Sequence, residues 1–540
     1  MPMDMITTLY VTYGSFKLNI RLVILTIKYK VHIFWIYRLI IRIHNKFIMP
    51  SIGVAEYYAG KSIFITGATG FMGKVLVEKL LRSCPDLKKI YILVRKKKGQ
   101  SAESRLETFL SCRLFENLQK RNPKVLNKLR VIPGDILEEG LGISAEDLEE
   151  LEQECQIVYN NAACVSFKMP IREAVNLNTI GVLKTLQLAE RMKKLEVFVH
   201  VSTAFCHDGV EILEEKMYPS KHNPFDVIES LKWMDDELLA SLQETLIKPY
   251  PNTYGYTKCL AEQVLTSFAG KFPIAIGRPS IVIPSAREPM PGWIDNINGP
   301  SGVVYAASRG VLHSMYCTES TKTDAIPVDL SINGLILLAY FTALERPKDI
   351  RVCNITQSGL NAITWKETSG YWQKYLAEYP LSYSLWYPVA TGKNYKIEHQ
   401  LAVLFTQTIP AYFIDLILFI LGKKTFMINL SKRLDAGMEV LEYYTVRNWT
   451  FKNDYFRSFE NKLSKDEREI FPTDIMSINV DEYMKNYIKG MREFYCKEDD
   501  STLPKARKLH KRLYYLHVAL KTIVYALCAY VIYRIYVTLF

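Results

Sequence analysis

Residues 61–74 read KSIFITGATGFMGK, and this stretch decides the fold. KSIFIT is a short apolar, β-branched run, and KVLVEKLLRSC, from Lys74 onward, carries apolar residues at helical period. Between them stand Gly67, Gly70 and Gly73. The first glycine permits a tight turn, and the second lets the backbone approach a pyrophosphate. The third lets the helix pack close to the strand, while the helix N-terminus offers N–H donors and the positive end of its dipole. A glycine triplet alone is weak evidence, but its place between strand and helix predicts a dinucleotide site.

Downstream the same alternation continues. IYILVR, LRVIPGD, IVYNNAA, VFVHVSTAF and FPIAIGRPSIV read as five more strands. ESRLETFLSCRLFENL, IREAVNLNTIGVLKTLQLAERM and TYGYTKCLAEQVLTSFAG read as the helices between them. Strands alternating with long helices imply parallel βαβ units, so the expected fold class is α/β, a Rossmann-type doubly wound parallel sheet spanning residues 55–354. At 540 residues the chain is too long for one ordinary core. Residues 361–496, rich in aromatic and charged helical segments, are expected to form a mainly helical C-terminal domain. Within them IPAYFIDLILFILG, residues 409–422, is too short to span a bilayer; it is expected to be core, the other readings being an acyl-site wall or an interfacial helix.

The formal net charge is +12, but its placement argues against nucleic acid. Residues 1–48 carry seven Lys or Arg against Asp4 alone, and Lys505, Arg507, Lys508, Lys511 and Arg512 precede an apolar tail. Cations flanking apolar segments suit anionic lipid headgroups. Residues 1–50 form a basic apolar extension with no uninterrupted span and no cleavable leader, readable as an interfacial anchor, a poor signal-anchor, or an extension outside the working protein. Residues 513–540 form a candidate membrane anchor, with Lys521 the one charge between Leu513 and Tyr533. A mid-span lysine costs roughly 2.5–3.5 kcal/mol, eased by snorkelling, and the alternative is an amphipathic interfacial helix. The ten cysteines include no Cys-x-x-Cys pair, so neither a metal site nor a disulfide framework is expected.

Tyr254 and Lys258, in NTYGYTKCLAE, are four apart and share one helix face. An ammonium beside a phenol favours the phenolate, and a phenol so tuned can protonate a carbonyl oxygen as hydride reaches carbon. Ser202 and Thr203 leave the carboxyl end of a parallel strand, where ligands sit in such sheets, and either hydroxyl can polarise the same carbonyl. Arg95, with Lys96, Lys97 and Lys98, ends the second strand where an NAD site commonly places a carboxylate, so NADPH is the expected cofactor; the bland alternative is a solvated basic loop. Asp135, after the third strand, is either an acceptor for the adenine amino group or a strand-end turn residue.

The order TGATGFMGK, YNNAACVSF, VHVSTAFC, YGYTK and GRPSIVIPS resembles the extended short-chain dehydrogenase/reductase superfamily. Within it, AEYYAGKSIFITGATGFMGKVLVEKLLRSCP and PGWIDNINGPSGVVYAASRGVLHSMY resemble the alcohol-forming fatty acyl-CoA reductases, and RNWTFKND resembles their C-terminal male-sterility domain. The resemblance covers about Ala55 to Cys496. It implies Tyr254 as general acid, Lys258 as the group orienting ribose and tuning Tyr254, and Thr203 as carbonyl polariser with Ser202 competing. It implies a cofactor cradle of Thr66, Gly67, Thr69, Gly70, Phe71, Met72 and Gly73, with Arg95 on the 2′-phosphate and Asp135 and Ile136 at the adenine. Ala162 and Ala163 would line the nicotinamide ribose, and Pro279 and Ser280 the nicotinamide. One departure is Ser166, where the family often has arginine. The implied reaction converts long-chain fatty acyl-CoA to a primary alcohol through a hemithioacetal and an aldehyde, using two NADPH and releasing CoA, at a membrane with the reductase portion facing the cytosol of the endoplasmic reticulum or peroxisome. A sterol-type or sugar-nucleotide oxidoreductase on the same scaffold, and a non-catalytic NADPH-sensing or lipid-binding scaffold, are the competing readings. The long C-terminal part and apolar tail count against a sugar nucleotide, and retention of the Tyr254 proton donor counts against a sensor.

Overall fold

The computed structural model describes residues 52–95 and 101–540, together with two two-residue strands, Thr12–Tyr13 and Phe16–Lys17, paired antiparallel. The readings of residues 1–50 and of Lys96, Lys97 and Lys98 otherwise fall outside the described residues.

Seven strands form one parallel sheet: β1 (Ser62–Thr66), β2 (Lys89–Val94), β3 (Leu129–Pro133), β4 (Cys155–Asn160), β5 (Val197–Val201), β6 (Ile274–Pro279) and β7 (Arg351–Ile355). Their order is β3-β2-β1-β4-β5-β6-β7, so the winding reverses between β1 and β4. That switch point opens a crevice at the carboxyl ends of the strands, where open α/β sheets take ligands. Alternate residues of β1 serve opposite faces. Ile63 and Ile65 join a core that includes helix α1 (Phe71–Ser83), while Phe64 joins a second core with Leu186 and Val264. The second core is covered by α2, which runs Ile171–Val175, a π-helical turn Asn176–Ile180, then Gly181–Arg191, and by α3 (Thr253–Leu265).

Several elements lie beyond the period-based reading, among them Ala145–Glu154, Pro224–Trp233 and Asp236–Ile247, and two of them hide their period altogether. Helix α4 (Val328–Glu345) is buried along nearly its whole length and apolar on every side, so it shows no helical stripe. Strand β7, RVCNI, is short, and its Arg and Asn break the apolar run. Two expected elements are also interrupted. The helix expected over ESRLETFLSCRLFENL breaks into Ala102–Leu110, a 3₁₀ turn Arg113–Phe115 and Glu116–Arg121. The sixth strand divides at Ser280, after which Ile281–Ile283 leaves the sheet and pairs in parallel with Ala325–Pro327.

The C-terminal part builds no separate core. Tyr483, Tyr487, Ile488 and Met491 belong to the same apolar cluster as Val75, Trp293 and Leu335. Two backbones meet here without side chains between them. A Cβ on Gly490 would lie 2.0 Å from the Gly292 carbonyl oxygen, and Gly292 itself has φ +76°. Short parallel pairings, Ser314–Tyr316 with Thr391–Lys393 and Ile212–Leu213 with Thr450–Phe451, tie the two parts further.

The core assignment for residues 409–422 is overturned. Helix α5 runs Lys396–Val403, a π turn Leu404–Thr408 and Ile409–Ile420, and returns through α6 (Met427–Thr445). In its last stretch only Ala411 and Asp415 are buried, and the apolar side chains face outward. The tail is one helix, α7 (Leu503–Leu539), exposed over its apolar length.

Gly490→Ala should lower the melting temperature by several degrees and weaken the reductase sheet together with the C-terminal part, costing about 2 kcal/mol or more, because neither backbone can retreat. Thermal melts followed by near-ultraviolet circular dichroism would show it; an unchanged transition would mean the contact is not rigid.

Candidate active site

The glycine turn is shaped by contact as much as by conformation. Gly67 has φ +69°, and a Cβ there would stand 2.6 Å from the Ala162 nitrogen at the end of β4. A Cβ on Gly73 would meet the Gly67 carbonyl oxygen at 2.3 Å. Gly70, the N-cap of α1, has only one neighbour at 3.3 Å and is exposed with Thr69 at the helix mouth. The turn is therefore pinned on both inner sides and open on the outer one, which is the geometry a pyrophosphate needs. Thr66 and Ala162 are joined directly, the Ala162 N–H donating to Thr66 Oγ1 at 3.2 Å. Phe71 turns inward and stacks on Trp293, with ring centroids 5.4 Å apart.

At the outer edge, Arg95 directly follows β2 and is exposed. Asp135 behaves in part as a turn residue: its Oδ1 accepts from the Leu137 N–H at 3.0 Å. Ile136 packs at Gly181 of α2, where a Cβ would lie 3.3 Å from Ile136 Cδ1. Toward the switch point, Ala163 is exposed and Pro279 and Ser280 are buried at the end of β6, where the Ala204 N–H donates to the Pro279 carbonyl at 2.9 Å.

Tyr254 opens α3 behind the N-cap Asn252, whose Oδ1 accepts from the Gly255 N–H at 2.9 Å. The Thr203 hydroxyl lies beside the Tyr254 phenol and favours its ionised form, but burial dominates, with Tyr444 and Cys206 adding to it, and the phenol pKa is raised. The expected tuning by Lys258 is thus not what the chain by itself displays. Lys258 is buried, and its ammonium donates to the Val201 carbonyl at 2.6 Å. Burial pulls its pKa down to about 8, opposed by Cys206 and Glu262.

The pair of hydroxyls separates cleanly. Ser202 Oγ donates to Glu262 Oε1 at 2.6 Å and belongs to a buried network, whereas Thr203 lies beside the Tyr254 phenol. Glu262 and Arg278 are both fully buried and joined by two bonds, Nε to Oε1 at 2.9 Å and NH2 to Oε2 at 2.6 Å. His207 Nε2 adds a contact to Glu262 Oε2 at 2.9 Å. Burial alone would protonate Glu262, but Arg278 and His207 hold its pKa well below the usual range. Cys206, His207 and Glu262 gather their ligand atoms within 4.8 Å, yet both Glu262 oxygens already face the Arg278 guanidinium, so the cluster is an ion-pair network.

Residue-by-residue reading missed this network, although it left two signals: a lone Arg inside the apolar strand IAIGRP, and a Glu one turn beyond Lys258 on the same helix face. It also missed Asn178. That side chain sits in the π turn of α2, accepts from the Cys164 N–H at 2.8 Å, and donates to the Cys164 carbonyl and Thr257 Oγ1, each at 3.1 Å. It thereby fixes the loop after β4 against α3. Finally, the site has a wall that only the fold could reveal. Tyr444, at the end of α6, accepts from Asn252 Nδ2 at 3.0 Å and stacks with Phe167, itself edge-on to Tyr254.

A Rossmann-type sheet, a glycine turn at its switch point, and a Tyr–Thr pair with a buried Lys define a nicotinamide-dinucleotide reductase. Family models described as male sterility protein match residues 65–335, in an NAD-binding region, and residues 406–498. Fatty acyl-CoA reductase 1 of Xenopus laevis is 39% identical over 88% of this chain and 92% of its own length. Fatty acyl-CoA reductase 2 of Homo sapiens is 37% identical over 87% of this chain and 91% of its own. The chain belongs to the fatty acyl-CoA reductase family. Among solved structures, the reductase domain of a nonribosomal peptide synthetase from Mycobacterium tuberculosis shares the fold, with a TM-score of 0.54 at 16% identity over 82% of this chain and 93% of that one. The terminal R domain of the myxalamid pathway does likewise, with a TM-score of 0.52 at 19% identity over 80% and 91%.

Three substitutions distinguish the roles. Tyr254→Phe should keep NADPH binding and lose about 10²–10⁴ in turnover. Thr203→Val should lose about 10²–10³. Ser202→Ala should keep turnover per folded molecule but cost about 1.5–3 kcal/mol of stability, through a bond to a buried carboxylate. Turnover in Ser202→Ala as poor as in Thr203→Val would return the polarising role to Ser202.

Proposed function

We propose that this chain reduces long-chain fatty acyl-CoA to the primary fatty alcohol, consuming two NADPH and two protons and releasing CoA. The observation that carries this reading is the Tyr254–Thr203 pair at the mouth of a dinucleotide crevice in a chain of this family. NADPH, when bound, supplies the hydride for each reduction. Gly67, Gly70, Gly73 and the N-terminus of α1 hold its pyrophosphate, Arg95 its 2′-phosphate, and Asp135 and Ile136 its adenine. Ala162, Ala163, Pro279 and Ser280 border the nicotinamide end.

The chain's own part is to manage charge on one oxygen. In the first reduction the thioester carbonyl oxygen gains negative charge, and the Thr203 hydroxyl and Tyr254 phenol face it as donors. Tyr254 passes its proton to that oxygen, giving a hemithioacetal that collapses to aldehyde and CoA thiol. Collapse passes the hemithioacetal hydroxyl proton to the departing sulfur, Tyr254 regains a proton from solvent, and in the second reduction the aldehyde oxygen meets the same two donors and takes that proton. The raised Tyr254 pKa keeps the phenol protonated at neutral pH, the form a proton donor needs. Lys258 orients ribose hydroxyls and lends positive charge beside the phenol once turned from the Val201 carbonyl.

The tail supports attachment to a membrane. Its apolar length in α7 is exposed, whereas α4, shorter but also long and apolar enough to cross a membrane, is buried inside the fold and is no candidate for a span. In this reading α7 crosses a bilayer as a single anchor, and Lys505, Arg507, Lys508, Lys511 and Arg512 sit at its cytosolic face with the reductase portion, on the endoplasmic reticulum or peroxisome.

Membranes carrying the protein, given NADPH and acyl-CoAs of graded chain length, should yield primary alcohol with two NADPH oxidised per CoA released. Aldehyde as the sole product would refute the four-electron reaction. NADPH affinity should fall above about pH 8, by up to about tenfold per unit, because Lys258 sheds its proton near pH 8 in the free chain while the anionic cofactor holds it protonated to higher pH when bound. Binding an anionic cofactor restores that proton. Calorimetric titrations at pH 9 in buffers of different ionisation enthalpy should record proton uptake that Lys258→Met abolishes; equal heats for both chains would exclude Lys258 as the titrating group.

A further inference from the structure

Helix α5 is built inside out. Along its later part the polar residues Gln407 and Asp415 fall eight positions apart, with Ala411 midway between them, on one stripe that is buried against the body. Gln407 Oε1 accepts from the His313 N–H at 2.8 Å. Asp415 accepts from the N–H groups of Phe426, Met427 and Ile428 at 3.0, 3.0 and 2.9 Å, capping the start of α6. The opposite face presents Tyr412, Phe413, Leu416, Phe419, Ile420 and Leu421, with Phe419 74% and Ile420 72% exposed. A helix on a water-soluble surface arranges the two faces the other way round.

The surroundings say what covers this face. Lys423 and Lys424 follow the hairpin tip, and Lys432 and Arg433, one to three turns into α6, are exposed as well. Four cations within about ten residues of an apolar tip match the phosphates of a lipid headgroup layer, and they also prevent the hairpin from crossing to the far side. The hairpin and the tail have neighbouring roots. Trp386 Nε1 donates to His517 of α7 at 3.1 Å, and the Thr391 N–H donates to the carbonyl of His313, the residue that Gln407 holds. From Trp386 to Thr391 is at most about 18 Å of extended chain.

We propose that the α5–α6 hairpin is a second membrane element, lying in the interface of the leaflet that α7 enters. Phe419, Ile420 and Leu421 sit among the acyl chains, and Lys423, Lys424, Lys432 and Arg433 sit at the phosphates. The protein then rests on the bilayer at two points, and the reductase body has one fixed face toward lipid. Because Tyr444 stands in the last turn of α6, the wall of the Tyr254 site is continuous with the embedded tip. This proposal rests on α7 being a membrane anchor, but not on the identity of the substrate.

The test uses the full chain in phosphatidylcholine vesicles, with and without phosphatidylserine. A photoreactive benzophenone amino acid replaces Phe419, Val531 of the tail, or Leu242 on a helix remote from both, and retained NADPH binding verifies each fold. Mass spectrometry should find phospholipid adducts at 419 and 531 and none at 242. Phosphatidylserine should raise the yield at 419, and Lys423→Gln with Lys424→Gln should cancel that rise. Adducts at 531 without any at 419 would overturn the hairpin proposal while leaving the anchor intact. Adducts joining 419 to a second copy of the chain would assign the face to self-association instead. Absence of lipid at both positions would overturn the anchor and the hairpin together.

Discussion

The Glu262–Arg278 pair is the constraint on which the catalytic geometry depends. It lies where no water reaches, so each charge would be costly alone, and removing either partner from such a pair typically costs about 3–5 kcal/mol. Its two ends belong to different elements: Glu262 to α3, which carries Tyr254 and Lys258, and Arg278 to β6, which leads to Pro279 and Ser280. Ser202 joins it from the end of β5, one residue before Thr203. One carboxylate therefore holds the elements that carry Tyr254, Thr203 and Ser280 in a single frame. The two hydroxyls that sequence left interchangeable differ in surroundings, Ser202 bonded into this frame and Thr203 beside the Tyr254 phenol.

The parallel sheet was legible because its strands and helices announce two different periods and its glycines sit at the one turn that needs them. Gly67 and Gly73 illustrate this: their necessity follows from contacts at 2.6 and 2.3 Å that G-x-x-G-x-x-G spacing encodes locally. What was not legible is non-local. Tyr444 lies far along the chain from Tyr254, and no local pattern announces that an aromatic from α6 will close the site. Helix α4 has no polar face to betray its helical period. The segment 409–422 misled in the opposite direction, since apolar composition distinguishes neither a core from a lipid-facing surface nor which side of a helix will be buried. Only the fate of Asp415, spent on capping α6, tells that the apolar side faces out.

The contrast between expectation and finding at Lys258 is informative about how such a site is prepared. A lysine and a tyrosine one turn apart suggest a tuned phenolate, yet in the chain alone the ammonium is satisfied by a backbone carbonyl and the phenol is held neutral by burial. Both groups are thus kept in states that cost little until a cofactor arrives. At neutral pH Lys258 keeps its charge, but burial leaves little margin, and the Val201 carbonyl is the partner that offsets it.

The backbone contact between Gly292 and Gly490 has an evolutionary meaning. No side chain can be inserted at either place without moving the other, and Tyr444 supplies part of the wall around Tyr254 from the same C-terminal portion. The two portions therefore cannot be exchanged between lineages as independent modules. Drift in one must be answered in the other, so changes in substrate preference across such proteins should arise as correlated substitutions spread over both halves of the chain, and recombination that joins halves of distant origin should be selected against.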